Sequence, residues 1–505
     1  AGSGGTPPTE PPDYALEQVR APDEYHVLVR FNRAPPDSVL VPANHHLETG
    51  PIGTLEVTNA VLQADGKTVE LTTARQKLGL YYEFFMTTGT PEIDLLTAQF
   101  PSADTAKFWA ADFASPGFEE YELVAERKEI GSHVVIYVEQ GYSVGTSHAR
   151  DFFDTSIYPV ETSLFIEAPD MDENGKILLL GLDGGPYYGG YFSPVNAMTN
   201  EEALQQWGVH SNEMDMVYIN IVQGYFDSEV VAAHEFQHLL YHERHGFSPA
   251  DWAYHNEGLS ECAVNAVNGY HPWALDYLVS NPSGLIASGL SITDWQYGNY
   301  DQYVLSYVFL SYVAGQLGGV PRYYDLFETS GDPLDIEQVL LQPQLGMTFS
   351  GAQLNALIAS WAQQASGAYS FNTVLNWPGK PPTWFGTSLS LAPMAGSWLM
   401  PTSPSVDYPG TQGPNIVYAG IDGTGAVDTE APFNVDGGAL VVFNQKLELV
   451  QLTPEPTGFI PPVSQTHASQ TNASAERDPA WRHPPPFHPA RRKELERWRE
   501  RTRTH

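Results

Sequence analysis

Two histidines stand four residues apart in His234-Glu235-Phe236-Gln237-His238. On a helix, residues with that spacing lie on one face, so both imidazoles can reach one metal ion. Glu235 sits one residue round, near enough to meet a water on that ion without being a ligand. Closed structural zinc sites take four protein ligands, whereas catalytic ones take three and keep a position for water. A third ligand candidate follows in Asn256-Glu257-Gly258-Leu259-Ser260-Glu261, where eighteen residues separate Glu257 from His238. Glu261 lies one helical turn beyond it, where its carboxylate can accept a hydrogen bond from the far nitrogen of a ligand histidine. The chemistry of such a set is metal-assisted hydrolysis. The ion lowers the pKa of a water and polarises a carbonyl, and Glu235 moves the proton to the leaving amine.

Helices must hold these groups, and a sheet must hold the helices. The first helix is expected to follow the buried strand Asp215–Val222, with Asp227 or Ser228 capping it, Glu229 on its dipole and Gly246 just past its end. The span from His238 to Glu257 suits a helix, a loop and an antiparallel second helix over Glu257–Asn268. Tyr300–Leu317 is apolar almost all round and reads as a buried third helix, and Pro333–Gln364 holds further helical segments. Upstream, Gly131–Glu139 and Ile177–Leu180 read as buried strands, and Thr146–Pro159 as a helix that stops at its proline.

Outside this α/β region the period changes to two. Short alternating runs begin at His26–Phe31 and end at Leu80–Phe85, with Asp65-Gly66-Lys67 as a hairpin turn, which points to a β-sandwich. Beyond residue 377, Asn415–Ala419 and Gly438–Phe443 read as strands of a small β domain. The expected organisation is a linker over 1–12, a sandwich over 13–90, a hydrolytic α/β domain over 91–376, a small β domain over 377–465 and a basic Pro/Arg-rich tail over 466–505.

Charge excludes several functions. The chain carries 24 Lys+Arg against 60 Asp+Glu, a net charge of −36, and its basic residues crowd towards the end. So acidic a body repels nucleic acid and anionic membrane, so neither is an expected partner. No apolar run reaches the ~18–20 residues of a membrane span. The single cysteine, Cys262, permits no intramolecular disulfide and reads as a buried thiol. The opening AGSGGTPPTEPP reads as the stalk of an exported, mature protein, and a monomer at or outside the cell surface is expected.

With HEFQH followed by NEGLSE, the chain resembles the gluzincin metallopeptidases, and within them the hyicolysin-type secreted bacterial peptidases. The resemblance extends through IYPVETSLF, DMDENGKILLL, GGYFSP and NEMDMVYINI, covering roughly residues 120–320. It implies that His234, His238 and Glu257 bind zinc, that Glu235 is the general base, and that Glu261 serves His234 and Asn256 serves His238. It also implies a downstream tyrosine or histidine that stabilises the oxyanion. Tyr300 is the favoured residue and Tyr303 the reserve, within the set Tyr297, Tyr300, Tyr303 and Tyr307. The run VRFNRAPPDSV through YYEFFM resembles bacterial Ig-like modules.

A protein or peptide is the expected substrate. Aminopeptidases with the same spacing carry a G-x-M-E-N-like segment upstream, and residues 211–226 contain none, so an endopeptidase is favoured. The strand Met216–Val222 is the expected partner for an extended substrate. An aminopeptidase and a catalytically weak surface-adhesion protein stay open as alternatives. Asp170, Asp172 and Asn174 begin like a calcium loop, but the twelfth position is Gly181, which makes an ordinary Asx-Gly turn the better reading and leaves Ca2+ as an open second cofactor.

Overall fold

The computed structural model describes residues 14–452 except 51–52, 116–118, 186–187, 222–225, 227–228, 247–251, 272, 281–288, 296–298, 384–388, 402, 408–414 and 446–449. The expected linker at 1–12, the tail at 466–505, the capping candidates Asp227 and Ser228, and Tyr297 lie outside the described residues.

At the N-terminal end, period-two alternation produces β1 (Leu16–Asp23), β2 (His26–Phe31), β3 (His45–Thr49), β4 (Gly53–Leu55), β5 (Val57–Leu62), β6 (Thr68–Thr73), β7 (Tyr81–Met86) and β8 (Thr97–Pro101). They form two sheets in the orders β1-β2-β6-β5 and β4-β3-β7-β8, with every pairing antiparallel. The inward residues Val27, Val29, Val69 and Leu71 of one sheet share a core with Leu47, Phe84, Met86 and Phe100 of the other, which makes the pair a sandwich. Gly66, at φ 66°, turns the β5–β6 hairpin as its Asp-Gly signal requires. The second sheet takes in β8, so this layer runs past residue 90.

A six-stranded sheet follows, in the order β13-β14-β12-β11-β10-β9, from β9 (Thr105–Asp112), β10 (Glu119–Ile130), β11 (Val134–Glu139), β12 (Ile177–Leu182), β13 (Gly190–Phe192) and β14 (Met216–Asn220). The three parallel strands β11, β12 and β14 are its centre and are buried on both faces, which is why they read as continuous apolar runs. Val134, Ile136, Leu179, Val217 and Ile219 face the helices, while Val135, Tyr137, Leu178, Leu180 and Tyr218 face the other way into a second core.

Two expectations are corrected here. β14 is paired on both sides, by β12 and by β13, so it has no free edge for a substrate strand; among the described residues the open edge on that side is β13. The helix before Pro159 does not stop there. Ser147–Phe152 continues through a π-helical turn, Phe153–Ile157, into Tyr158–Leu164. The wider turn resets the hydrogen-bond ladder so that Pro159 falls in a first turn, where its missing N–H costs nothing.

Helices cover one face of the sheet. The motif helix, Val231–His245, and the ligand helix, Ala253–Asn268, run antiparallel, and the buried helix, Tyr300–Leu317, packs on the latter. A short helix, Ala274–Ser280, comes between these two in sequence, and Phe349–Ala362 bridges to the C-terminal strands Ala395–Leu399, Ile416–Ile421 and Ala439–Asn444. No single helix among the described residues is long and apolar enough to cross a membrane.

Candidate metal centre

The motif helix ends at Gly246, whose φ of 65° is left-handed and open around its α-carbon, so glycine there is a conformational requirement. From this helix His234 and His238 project towards the ligand helix, and Glu257 projects back. All three side chains are buried, at 1%, 6% and 1% exposure. His234 Nε2 and His238 Nε2 are 3.1 Å apart, and Glu257 Oε2 is 3.2 Å from each. A tetrahedral ion with bonds of about 2.0–2.2 Å separates its ligand atoms by about 3.3–3.6 Å. The three atoms therefore stand within a few tenths of an ångström of the spacing zinc needs. Glu257 Oε1 has no hydrogen-bond partner among the described residues, an orphaned acceptor in a buried site. Two imidazoles and one carboxylate are a zinc donor set, and the residues fit the ion.

Electrostatics point the same way. Burial alone would push His238 down, but the carboxylates of Glu257 and Glu235 outweigh it and lift the imidazole to about 9. Burial opposes the charge on Glu257, yet His238 and His234 hold its carboxyl well below the usual carboxylate range.

The far nitrogens face polar side chains, one of them within hydrogen-bond distance. His238 Nδ1 lies 3.0 Å from Asn256 Oδ1, so the N–H donates there and the Nε2 lone pair faces the other two ligand atoms. Ser260 Oγ is 3.1 Å from the same nitrogen and donates to Gln237 Oε1. His234 Nδ1 lies 3.6 Å from Glu261 Oε1. Glu261 Oε2 makes a close contact with His271 Nε2. Sequence reasoning missed Ser260, Gln237 and His271. The first two lie inside the quoted motifs and carried a signal in their polarity at buried helical positions, but His271 lies beyond the helix end and carried none.

Glu235 is buried beside the ligand pair, between the motif helix and the edge strand β13. A Cβ on Gly190 of β13 would lie 3.0 Å from Glu235 Cγ and 2.5 Å from Val231 Cγ1, so the glycine makes room for both. Gly258 does the same on the ligand helix. A Cβ there would meet Leu310 Cδ1 at 2.8 Å and Ser306 Cβ at 2.9 Å, so only glycine allows the ligand helix and the buried helix to approach this closely.

The tyrosines divide. The ring of Tyr303 lies against His234, with centroids 6.3 Å apart, and Tyr303 is buried. Tyr300 is half-buried at the head of the same helix, its ring on Tyr277 and Tyr303. Burial, with the nearby Glu261 charge, pushes the Tyr300 hydroxyl up. Tyr307 donates to Asn265 Oδ1 at 2.9 Å and packs on His271. Cys262 is fully buried beside Ser311, and burial pushes its thiol up, as a packing cysteine requires.

Asp170–Gly175 forms the expected turn, and the carboxylates of Asp170 and Asp172 gather with that of Asp215. Asn174 turns its amide N–H to Asp172 Oδ2, 2.7 Å, and to Leu78 O, 3.0 Å, while its Oδ1 accepts from Lys176 N. That is an Asx turn.

No family model matches the chain. It is 24% identical over 285 residues to the neutral metalloprotease ShpI of Staphylococcus hyicus, a stretch that covers 50% of this chain and 62% of that relative, less than two thirds of its length. Among solved structures, yeast leukotriene A4 hydrolase in complex with bestatin aligns with a TM-score of 0.29 and 12% identity over 75% of this chain and 71% of that one. Native leukotriene A4 hydrolase from Saccharomyces cerevisiae aligns at 0.28 and 14%, over 73% and 69%. Domains 1–6 of the surface layer protein SbsC align at 0.17 and 19%, over 20% of this chain and 15% of that one.

Proposed function

We propose that the protein is a zinc-dependent endopeptidase that acts on proteins or peptides outside the cell or at its surface. The observation that carries this reading is the triangle of His234 Nε2, His238 Nε2 and Glu257 Oε2, with edges of 3.1–3.2 Å, beside a carboxylate that is not one of its corners. The 24% identity to a protein named as a neutral metalloprotease supports it. A zinc ion held by those three atoms supplies Lewis acidity to a carbonyl and acidity to a water.

The chain's own residues do the rest. Glu235, buried and at the mouth of β13, takes the proton of the attacking water and returns it to the leaving amine. An extended substrate adds its backbone to the open edge of β13, which sets its peptide groups beside Glu235. Asn256 and Glu261 hold the rings of His238 and His234 in the orientation that directs Nε2 inward. Tyr300, half-buried near the head of the buried helix, donates to the oxyanion, with Tyr303 beneath it against His234. Calcium has no part in this proposal.

The test compares wild type with Glu235→Gln for zinc content and casein hydrolysis. Equal, stoichiometric zinc with hydrolysis lost only in the variant is expected, by about 10²–10⁴-fold for a general base. Equal activity in both, or none in either, overturns the enzyme reading. A library of N-terminally blocked peptides then separates endopeptidase, which cleaves them, from aminopeptidase, which does not.

A further inference from the structure

One step beyond the groups that face the ligand histidines, the buried His271 meets Glu261. This histidine follows the end of the ligand helix, where Gly269, at φ 74°, turns the chain back. His271 is buried, 5% exposed, and its two nitrogens have different tasks. Nδ1 lies 3.1 Å from the backbone N–H of Ala274 and 3.3 Å from that of Trp273, so it accepts. The ring proton is thereby left on Nε2, which donates to Glu261 Oε2. The other oxygen of that carboxylate, Oε1, faces His234 Nδ1 at 3.6 Å. Tyr307 backs the imidazole, ring centroids 5.2 Å apart, and is itself tied to Asn265.

We propose that His271 is a positioning residue of the metal centre: by holding one oxygen of Glu261, it aims the other at His234 and so fixes the ring that would bind zinc. The inference rests on the reading of His234, His238 and Glu257 as zinc ligands. A buried carboxylate bonded on one side only can swing about its terminal torsion, and the ring it faces swings with it. His271 removes that freedom from a position that touches neither ligand nor substrate. Beside it a cavity of about 340 Å³ is lined by Asn265, His271, Tyr307 and the exposed Tyr270 and Asp276. A small molecule can therefore reach the place of the ring from solvent.

The experiment uses the full chain. Zinc affinity is measured by chelator competition, and the visible absorption of the cobalt-substituted protein reports ligand geometry, for wild type, His271→Ala and His271→Gln. His271→Ala is expected to bind zinc about 10–100-fold more weakly, the range for loss of a group that orients a ligand. It is also expected to shift the cobalt bands, and to recover on addition of imidazole. His271→Gln, whose amide N–H replaces Nε2–H, is expected to stay within a few-fold of wild type. Unchanged zinc affinity and cobalt bands in a folded His271→Ala overturn the proposal while leaving the zinc reading intact. If His271→Ala does not fold, His271→Phe, which keeps the ring volume and removes the Nε2–H, decides: a loss of tenfold or more with shifted cobalt bands supports the role, and affinity and bands like wild type overturn it. A wild-type protein that takes up neither zinc nor cobalt removes the underlying reading, and the proposal with it.

Discussion

Gly258→Ala is the smallest change that the geometry says should disturb the centre. Gly258 follows Glu257 directly and lies where the ligand helix crosses the buried helix. The added Cβ would sit 2.8 Å from Leu310 Cδ1, 2.9 Å from Ser306 Cβ and 3.2 Å from the Ser306 carbonyl carbon. The Leu310 methyl is the one contact with torsional freedom, and it is fully buried, while the Ser306 atoms are backbone or fixed to it and cannot yield. The helices must part by roughly half an ångström, and overpacking of that kind costs about 1–3 kcal/mol. Alanine returns up to about 1 kcal/mol of helix propensity. The net expectation is a loss of about 1–2 kcal/mol, or ~2–6 °C for a domain of this size. Because Glu257 moves with the backbone beside it, zinc should bind about tenfold more weakly, since sites tolerate only about 0.5 Å of displacement. Calorimetry with and without zinc, plus chelator competition, measures both. A variant as stable as wild type with unchanged zinc affinity refutes the close-approach argument.

Other perturbations test other parts. Tyr300→Phe is expected to lower kcat/KM for a blocked peptide about 10²-fold with zinc retained, and Tyr303→Phe by much less; the reverse order moves the oxyanion role to Tyr303. Burial and the neighbouring Asp215 and Asp170 push Asp172 up to about 7, and burial lifts Asp215 to about 6. A carboxyl raised on folding gives the native state extra protons between about pH 4 and 7, so the cluster destabilises increasingly as pH rises through that window. Asp172→Asn should therefore stabilise the protein by on the order of 1–2 kcal/mol at pH 8 and by almost nothing at pH 4. Thermal melts at the two pH values check this, and an equal effect at both contradicts it.

What the sequence made legible was what periodicity and spacing encode. Tyr300–Leu317 is apolar all round and forms a helix with those bounds, and His26–Phe31 alternates and forms a strand with those bounds. The spacing of His234, His238 and Glu257 is enough to bring their ligand atoms into one triangle, because an antiparallel helix pair fixes the distance. Strand neighbours are a different matter. Nothing local in Met216–Asn220 distinguishes an interior from an edge strand, and its pairing with β13 depends on residues roughly a turn-and-helix away in sequence. Pro159 misled for a related reason, since a π-helical turn upstream decides whether a proline ends a helix or begins one. His271 was invisible because its role is set by a chain reversal at Gly269.

The proposed chemistry stands on one zinc ion held by His234, His238 and Glu257. Crystals grown with zinc and measured on both sides of its absorption edge test this most directly. One strong anomalous peak is expected about 2.0–2.2 Å from His234 Nε2, His238 Nε2 and Glu257 Oε2, and none of comparable height elsewhere. A zinc-replete crystal with no peak there, or with its only peak at Asp170, Asp172 and Asp215, would contradict it.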